Sequence, residues 1–254
     1  MYSNRVIPCL LLHNQRLVKT VRFGNENYIG DPVNAVKIFN EKAVDEIIII
    51  DIRKSIEGSK PDFAFLKNLA GQCFMPVAYG GGISSLGQIK KIFEIGMEKV
   101  VLNSMAFSNP MDVKRAVHIW GAQSIVGAMD VKRGMFGQYT VYTNCGRHNT
   151  RIDPVVYAEY LEKIGVGEIF LNNITLDGKM MGYDIKLLKA ISSAVTIPVT
   201  ACGGAGSIED LAQGIRDGGI SAAAAGSLFV YLGNRKSILI NYPDRNIIRG
   251  IQGE

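Results

Sequence analysis

Long apolar runs are missing from these 254 residues: none approaches the roughly 20 that a helix needs to cross a bilayer. The amino-terminal stretch Met1–Leu12 has one arginine and no long apolar region, which argues against a signal peptide. Basic runs of the kind that bind nucleic acid are missing too, since Lys and Arg are scattered and the formal charge is only +5. Cysteine is scarce. Cys9, Cys73, Cys145 and Cys202 are far apart and no pair has CxxC spacing, so neither a structural zinc site nor a redox dithiol has support. No His, Asp and Glu cluster has metal-ligand spacing and no nucleotide fingerprint is seen, so no metal and no cofactor is expected. Cys9 and Cys202 lie in or just after apolar runs, where reduced thiols are commonly buried, and a reducing cytoplasm is the expected location. Neither a membrane nor a nucleic acid is an expected partner.

What is present is a chain that can bury a large core, with 47% hydrophobic and 20% charged residues. Strand-length apolar runs alternate with longer segments of helical period. The runs are Arg5–Leu11, Glu46–Ile52, Met75–Ala78, Lys99–Asn103, Ser124–Asp130, Glu168–Asn173, Ile197–Ala201 and Ser221–Ala225. Most are apolar nearly throughout, as parallel strands covered on both faces are. Helix starts are marked by Asp31-Pro32, Asn109-Pro110 and Asp153-Pro154, each a capping side chain before proline, and by Ser85 to Gln88 and Ser207 to Asp210, which resemble capping boxes. Two folds have this pattern, a closed (β/α)8 barrel and an open doubly wound sheet. Eight strand–helix units with short connections and no Pro/Gly linker favour one barrel domain over residues 1–254.

The chain also repeats itself. Pro76 to Gly82 matches Pro198 to Gly204, and Glu46 to Ile52 matches Glu168 to Ile174, both at a spacing of 122 residues. Arg5–Leu11 pairs with Ser124–Asp130 at a spacing of 119. Three segments recurring in one order predict two half-barrels, about 1–122 and 123–254.

In barrels the reacting groups gather where strands end, and phosphates sit on glycine-rich turns into helices. Gly80-Gly81-Gly82 follows the third run, and Asn103-Ser104 ends the fourth. The second half supplies Gly203 and Gly204 after the seventh run, Gly226 and Ser227 after the eighth, and Asp177-Gly178 after the sixth. Tight turns need glycine in any case. Two clusters related by a repeat, each with a serine at the next strand end, favour a phosphorylated small molecule with a phosphate at each end.

Taken together, Val6-Ile7-Pro8-Cys9-Leu10, Leu17-Val18-Lys19, Gly30-Asp31-Pro32-Val33, Gly80 to Ile83, Ala128 to Arg133, Asp177-Gly178, Gly182-Tyr183-Asp184 and Gly203 to Gly206 resemble the HisF family, the cyclase subunits of imidazole glycerol phosphate synthase. The similarity runs in order from about residue 5 to about residue 230, and the stretch from Tyr231 matches poorly. The resemblance implies a (β/α)8 barrel that takes ammonia from a HisH-like glutaminase in a heterodimer and acts on a bisphosphorylated ribulosyl compound. It also implies two aspartates, at the ends of the first and fifth strands, serving as general acid and base, with Lys19 beside them. Asp130 occupies the fifth-strand position, but the first-strand position is Leu11, and the repeat likewise pairs Leu11 with Asp130. Leucine cannot transfer a proton, and general acid–base catalysis contributes ~10²–10⁴-fold. His13, two residues further on, is a poor replacement.

The family gates ammonia with four charged residues at the bottom of the barrel, matched here by Arg5, Glu46, Lys99 and Glu168. Each starts a strand, so solvated strand ends are the plain alternative, while charges pointing into a barrel call for a paired ring. Three functions are therefore open. An ordinary HisF would make imidazole glycerol phosphate for histidine biosynthesis. A paralogue with the gate kept and the acid lost would pass ammonia onward, to another phosphorylated substrate or to a third amidotransferase protein, as in sugar amidation for surface polysaccharide such as O-antigen lipopolysaccharide. A nucleic-acid or scaffold protein has only the pI near 8.9 in its favour, and the ammonia-passing paralogue is the expected function, with the ordinary HisF as the alternative.

Overall fold

Eight of the strands are parallel and close on themselves. In a computed structural model, which describes residues 4–233 and 236–252 and leaves Met1–Ser3 of the amino-terminal stretch outside, the strands are β1 (Arg5–His13), β2 (Arg16–Val21), β3 (Gly24–Gly30), β4 (Ile47–Asp51), β5 (Val77–Gly80), β6 (Lys99–Leu102), β7 (Ile125–Arg133), β8 (Tyr139–Thr143), β9 (His148–Asn149), β10 (Glu168–Asn173), β11 (Val199–Cys202), β12 (Ala222–Ala225), β13 (Tyr231–Leu232) and β14 (Ser237–Ile238). The ladder β10-β11-β12-β1-β4-β5-β6-β7 returns to β10 through a β10–β7 pairing. The helices are α1 (Pro32–Glu41), α2 (Lys54–Glu57), α3 (Phe63–Ala70), α4 (Leu86–Glu94), α5 (Ser104–Ser108), α6 (Pro110–Trp120), α7 (Pro154–Lys163), α8 (Ile185–Ser192), α9 (Ile208–Gly218), α10 (Ser227–Val230) and α11 (Arg245–Gln252). This is a (β/α)8 barrel, and none of the described helices is long and apolar enough to cross a membrane.

The continuous apolar runs have a simple cause. Each barrel strand feeds two cores, one on each face. Ile7, Cys9 and Leu11 of β1 join Ile48, Ala78, Val101, Val126, Ala128 and Phe170 in the barrel interior. Val6, Leu10 and Leu12 point the other way, into the layer under the helices. The alternation of strand side chains therefore places apolar groups at every position.

Helix starts follow the capping chemistry in most places. Asp31, Ser85, Asp153 and Ser207 accept backbone N–H bonds from their own first turns, and Ser207 with Asp210 completes a reciprocal box. Asn109 departs from the expectation. Its side chain makes no cap bond and instead donates to Asp112 Oδ2 at 2.7 Å.

Two hairpins were not anticipated. β1 continues through a two-residue turn at Asn14 and Gln15, both with positive φ, into β2 and β3. β7 likewise runs on past Asp130 into β8 and β9. Both rise from the carboxyl-terminal end of the barrel, after the strands that the sequence repeat pairs. The poorly matching stretch after Tyr231 forms β13, β14 and α11, anchored by Tyr242, which packs on Phe229 and Phe39 and donates to the Val6 carbonyl at 2.9 Å.

Candidate functional site

The carboxyl-terminal ends of the strands surround a cavity of about 290 Å³. Asp130, near the top of β7, faces it, and burial, helped by the Asp177 carboxylate, pushes its carboxyl up to about 7. Asn103 Nδ2 donates to Asp130 Oδ2 at 3.1 Å. Across the interior, Leu11 is buried in the apolar cluster with Cys9 and Val18 and lines the same cavity. The position paired with Asp130 by the repeat is thus a hydrocarbon wall.

Lys19 is on β2 and only 5% exposed, so the hairpin carries its ammonium down into the barrel mouth. A Cβ added at Gly226 would lie 2.2 Å from Lys19 Nζ, and only glycine leaves that space. Asp177 holds the same hairpin. Its Oδ2 accepts from Thr20 Oγ1 at 3.0 Å, and its carbonyl accepts from the Arg22 amide at 3.1 Å.

The glycine turns differ in what they face. Gly81, Gly82, Asn103 and Ser104 line the cavity together with Asp177. Gly81 has φ +116°, and a Cβ there would meet the Asp51 carbonyl at 2.3 Å. Gly178, Gly203, Gly204, Gly226 and Ser227 are outside that lining. Gly204, at φ +129°, packs on the Gly182 carbonyl, and Gly178 packs under the Thr20 carbonyl. The two turns are related by the repeat but not equally open.

At the opposite end the four charged strand starts meet. Arg5 donates to Glu46 and, at 2.9 Å, to Glu168. Lys99 Nζ reaches Glu46 at 2.8 Å and Glu168 at 3.0 Å. Each acid bridges both bases, which closes the ring. Burial alone would raise Glu168, but Arg5 and Lys99 outweigh it and hold the carboxyl below its ordinary range. Such mutual pairing is what makes ionised groups tolerable in a barrel interior. Outside the ring lies a basin of about 610 Å³ whose wall includes Lys42, Tyr242, Arg245 and Arg249.

Asp51, Asn172, Glu26 and Arg53 line the cavity and had no role in the sequence reading. Asp51, at the end of β4, is buried and raised by that burial. Asn172, beside Asp130 in the β10–β7 register, also faces the cavity. His13 Nδ1 meets Glu26 at 2.5 Å, and Arg53 donates to the same carboxylate at 2.6 Å. Only Asp51 had a visible signal, a carboxylate closing an apolar run. Cys9 and Cys202 are free and both line the cavity, and the Cys9 thiol together with burial holds the Cys202 thiol well above its ordinary range.

A closed parallel barrel with its polar cavity at the carboxyl-terminal strand ends and an ion ring at the other end belongs to the TIM-barrel class. Comparison with known proteins narrows this. The family model described as histidine biosynthesis protein matches residues 5–235, and the chain belongs to that family, as a divergent member of the HisF type. It is 47% identical over 246 residues, 97% of this chain and 98% of the relative, to a Pseudomonas aeruginosa protein provisionally named imidazole glycerol phosphate synthase subunit hisF2. A Leptospira interrogans protein provisionally named as subunit HisF is 45% identical, over 96% of this chain and 97% of its own length. Imidazole glycerol phosphate synthase subunit HisF of Alkaliphilus metalliredigens is 40% identical, over 91% and 92%.

Proposed function

We propose that this chain is a HisF-type subunit that receives ammonia from a HisH-like glutaminase docked over the Arg5–Glu46–Lys99–Glu168 ring and passes it through the barrel, with the family's cyclisation crippled at Leu11. The single observation that carries this is the contrast between the two ends. The ring at the entry is complete and fully paired, whereas at the exit Asp130 has a buried leucine, Leu11, at the position that the repeat pairs with it. The subunit names of the relatives support a partner, since a subunit belongs to a complex. The ammonia is then used elsewhere. We place that use in amidation of a sugar for surface polysaccharide, by a third amidotransferase protein, in the cytoplasm. The turn at Gly81 and Gly82, with Asn103 and Ser104, is the phosphate cradle open to the cavity, and Gly203, Gly204, Gly226, Ser227 and Gly178 form its covered counterpart, with Asp177 of that second site reaching the cavity.

A second reading, a working synthase subunit in histidine biosynthesis, is favoured by Asp130 itself. A carboxyl that titrates near 7 is poised for proton transfer at neutral pH. The two readings part in a histidine auxotroph that lacks its own HisF. Our reading predicts no growth without histidine when this gene is supplied, although the protein still co-purifies with its glutaminase. Growth restored to the level of an authentic HisF gene would overturn it.

A further inference from the structure

We propose that the face around the barrel exit is the docking surface for the enzyme that consumes the ammonia, anchored by Met135 and Phe136 at the tip of the β7–β8 hairpin. The inference rests on the reading that this chain passes ammonia to a third amidotransferase protein. It adds where that protein sits and what it must present.

Large apolar side chains are left bare here. Met135 is 97% exposed and Phe136 94%, and among the described large apolar residues only Phe74, before β5 at the opposite end of the barrel, is nearly as bare. Single exposed apolar residues are ordinary, but two in a row at a tip carry a solvation cost that burial against a partner removes. The tip is held in shape by its own backbone. The Gly134 N–H donates to the Gln138 carbonyl at 2.8 Å and the Gly137 N–H to the Gly134 carbonyl at 3.1 Å. The hairpin is also braced on the loop between β10 and α8. There the Arg133 N–H donates to Thr175 Oγ1 at 3.0 Å, and the Tyr139 hydroxyl to Asp184 Oδ2 at 2.7 Å. The same loop carries Met181, which is 76% exposed. A tip ordered before docking loses little entropy on docking.

Charge says what the occupant must present. Arg22, Lys132 and Arg147 line the mouth of the cavity and Arg133 flanks the tip, and among the described residues none of the four has a carboxylate within ion-pair distance. A basic rim around apolar anchors calls for a partner with carboxylates around an apolar pocket. A second copy of this chain docked face to face would set the same cations against each other. Position says which acidic protein fits. The hairpin rises from Asp130 at the strand ends where the cavity opens, so a protein seated on it covers the mouth and takes ammonia before water does.

The test keeps the chain with its glutaminase and replaces Phe136, in cells, by the photo-cross-linker p-benzoylphenylalanine. Irradiation is expected to join it to a protein that amidates its own substrate when given ammonium chloride. With that protein purified, its amidation is measured with glutamine, supplied through the chain and the glutaminase, against its rate on ammonium chloride. Phe136→Glu is expected to lower the glutamine-supported rate about tenfold or more, the loss typical of an interface anchor. Phe136→Leu is expected to keep most of that rate, and both variants to fold as wild type does, since the bare side chain has no part in the chain's own packing. No cross-link overturns the proposal, as does a cross-link only to the glutaminase, to a second copy or to lipid. A glutamine-supported rate that Phe136→Glu leaves intact defeats this surface alone. Rescue of the histidine auxotroph would instead defeat the functional reading, and this surface with it.

Discussion

Asp130 carries the largest consequence at the scale of single residues. Its carboxyl titrates near 7 in the folded chain against an ordinary value of 3.8, because burial and Asp177 disfavour the charge. The folded state therefore holds the proton more tightly than the unfolded state, and stability falls as pH rises between those values, then levels off. Asp130→Asn removes the charge and keeps an acceptor for Asn103. It should stabilise the chain at pH 8 by on the order of 2–4 kcal/mol and by nearly nothing at pH 4, as read from denaturant midpoints. An equal gain at both pH values would show that desolvation of the ionised form is not the cause. Asp130 itself was legible in the sequence, since the repeat pairs it with Leu11. The amide roles were not. Asn103 reads as a phosphate ligand beside Ser104, and the bond of its amide to Asp130 could not be read, because only the barrel brings that partner to it.

At the scale of elements, the β2–β3 hairpin shapes the site, because it delivers Lys19 and covers Gly178. It is tied down on two sides, by Asp177 and by Glu26, the latter bonded to His13 and Arg53. Burial pushes Glu26 up, but Arg53 and His13 outweigh it and hold the carboxyl below its ordinary range. That tie is thus present above the unfolded value and is lost as pH falls through the folded one. These side chains are partly exposed, so the tie contributes only about 1 kcal/mol after screening. Glu26→Gln should speed amide exchange over Arg16–Val21 roughly fivefold at neutral pH and leave global stability nearly unchanged. Exchange unaffected by the substitution would place the restraint with Asp177. The barrel strands were readable from their apolar runs because both faces are covered. The hairpins were not, since β3 (Gly24–Gly30) is polar and largely exposed, and β9 (His148–Asn149) has two residues.

At the scale of the molecule, one chain has two differently equipped ends joined by an apolar interior. The ion ring needs four strands brought side by side; its members were visible as charges at strand starts and a paired ring was one of the two readings open to them, while the choice against solvated strand ends needed β1, β4, β6 and β10 around a common axis. At the other end the proposed function turns on Leu11, a residue that cannot transfer a proton, in the position paired with Asp130. Turnover of the family's bisphosphorylated ribulosyl substrate, with saturating ammonium salt and no partner, tests this contrast most directly in wild type, Leu11→Asp and Asp130→Asn. The account predicts that wild type turns over at least ~10²-fold more slowly than an authentic HisF, that Leu11→Asp gains activity, and that Asp130→Asn has little left to lose. Full turnover by wild type, abolished in Asp130→Asn, would contradict it and make this chain a working cyclase with another group as its acid.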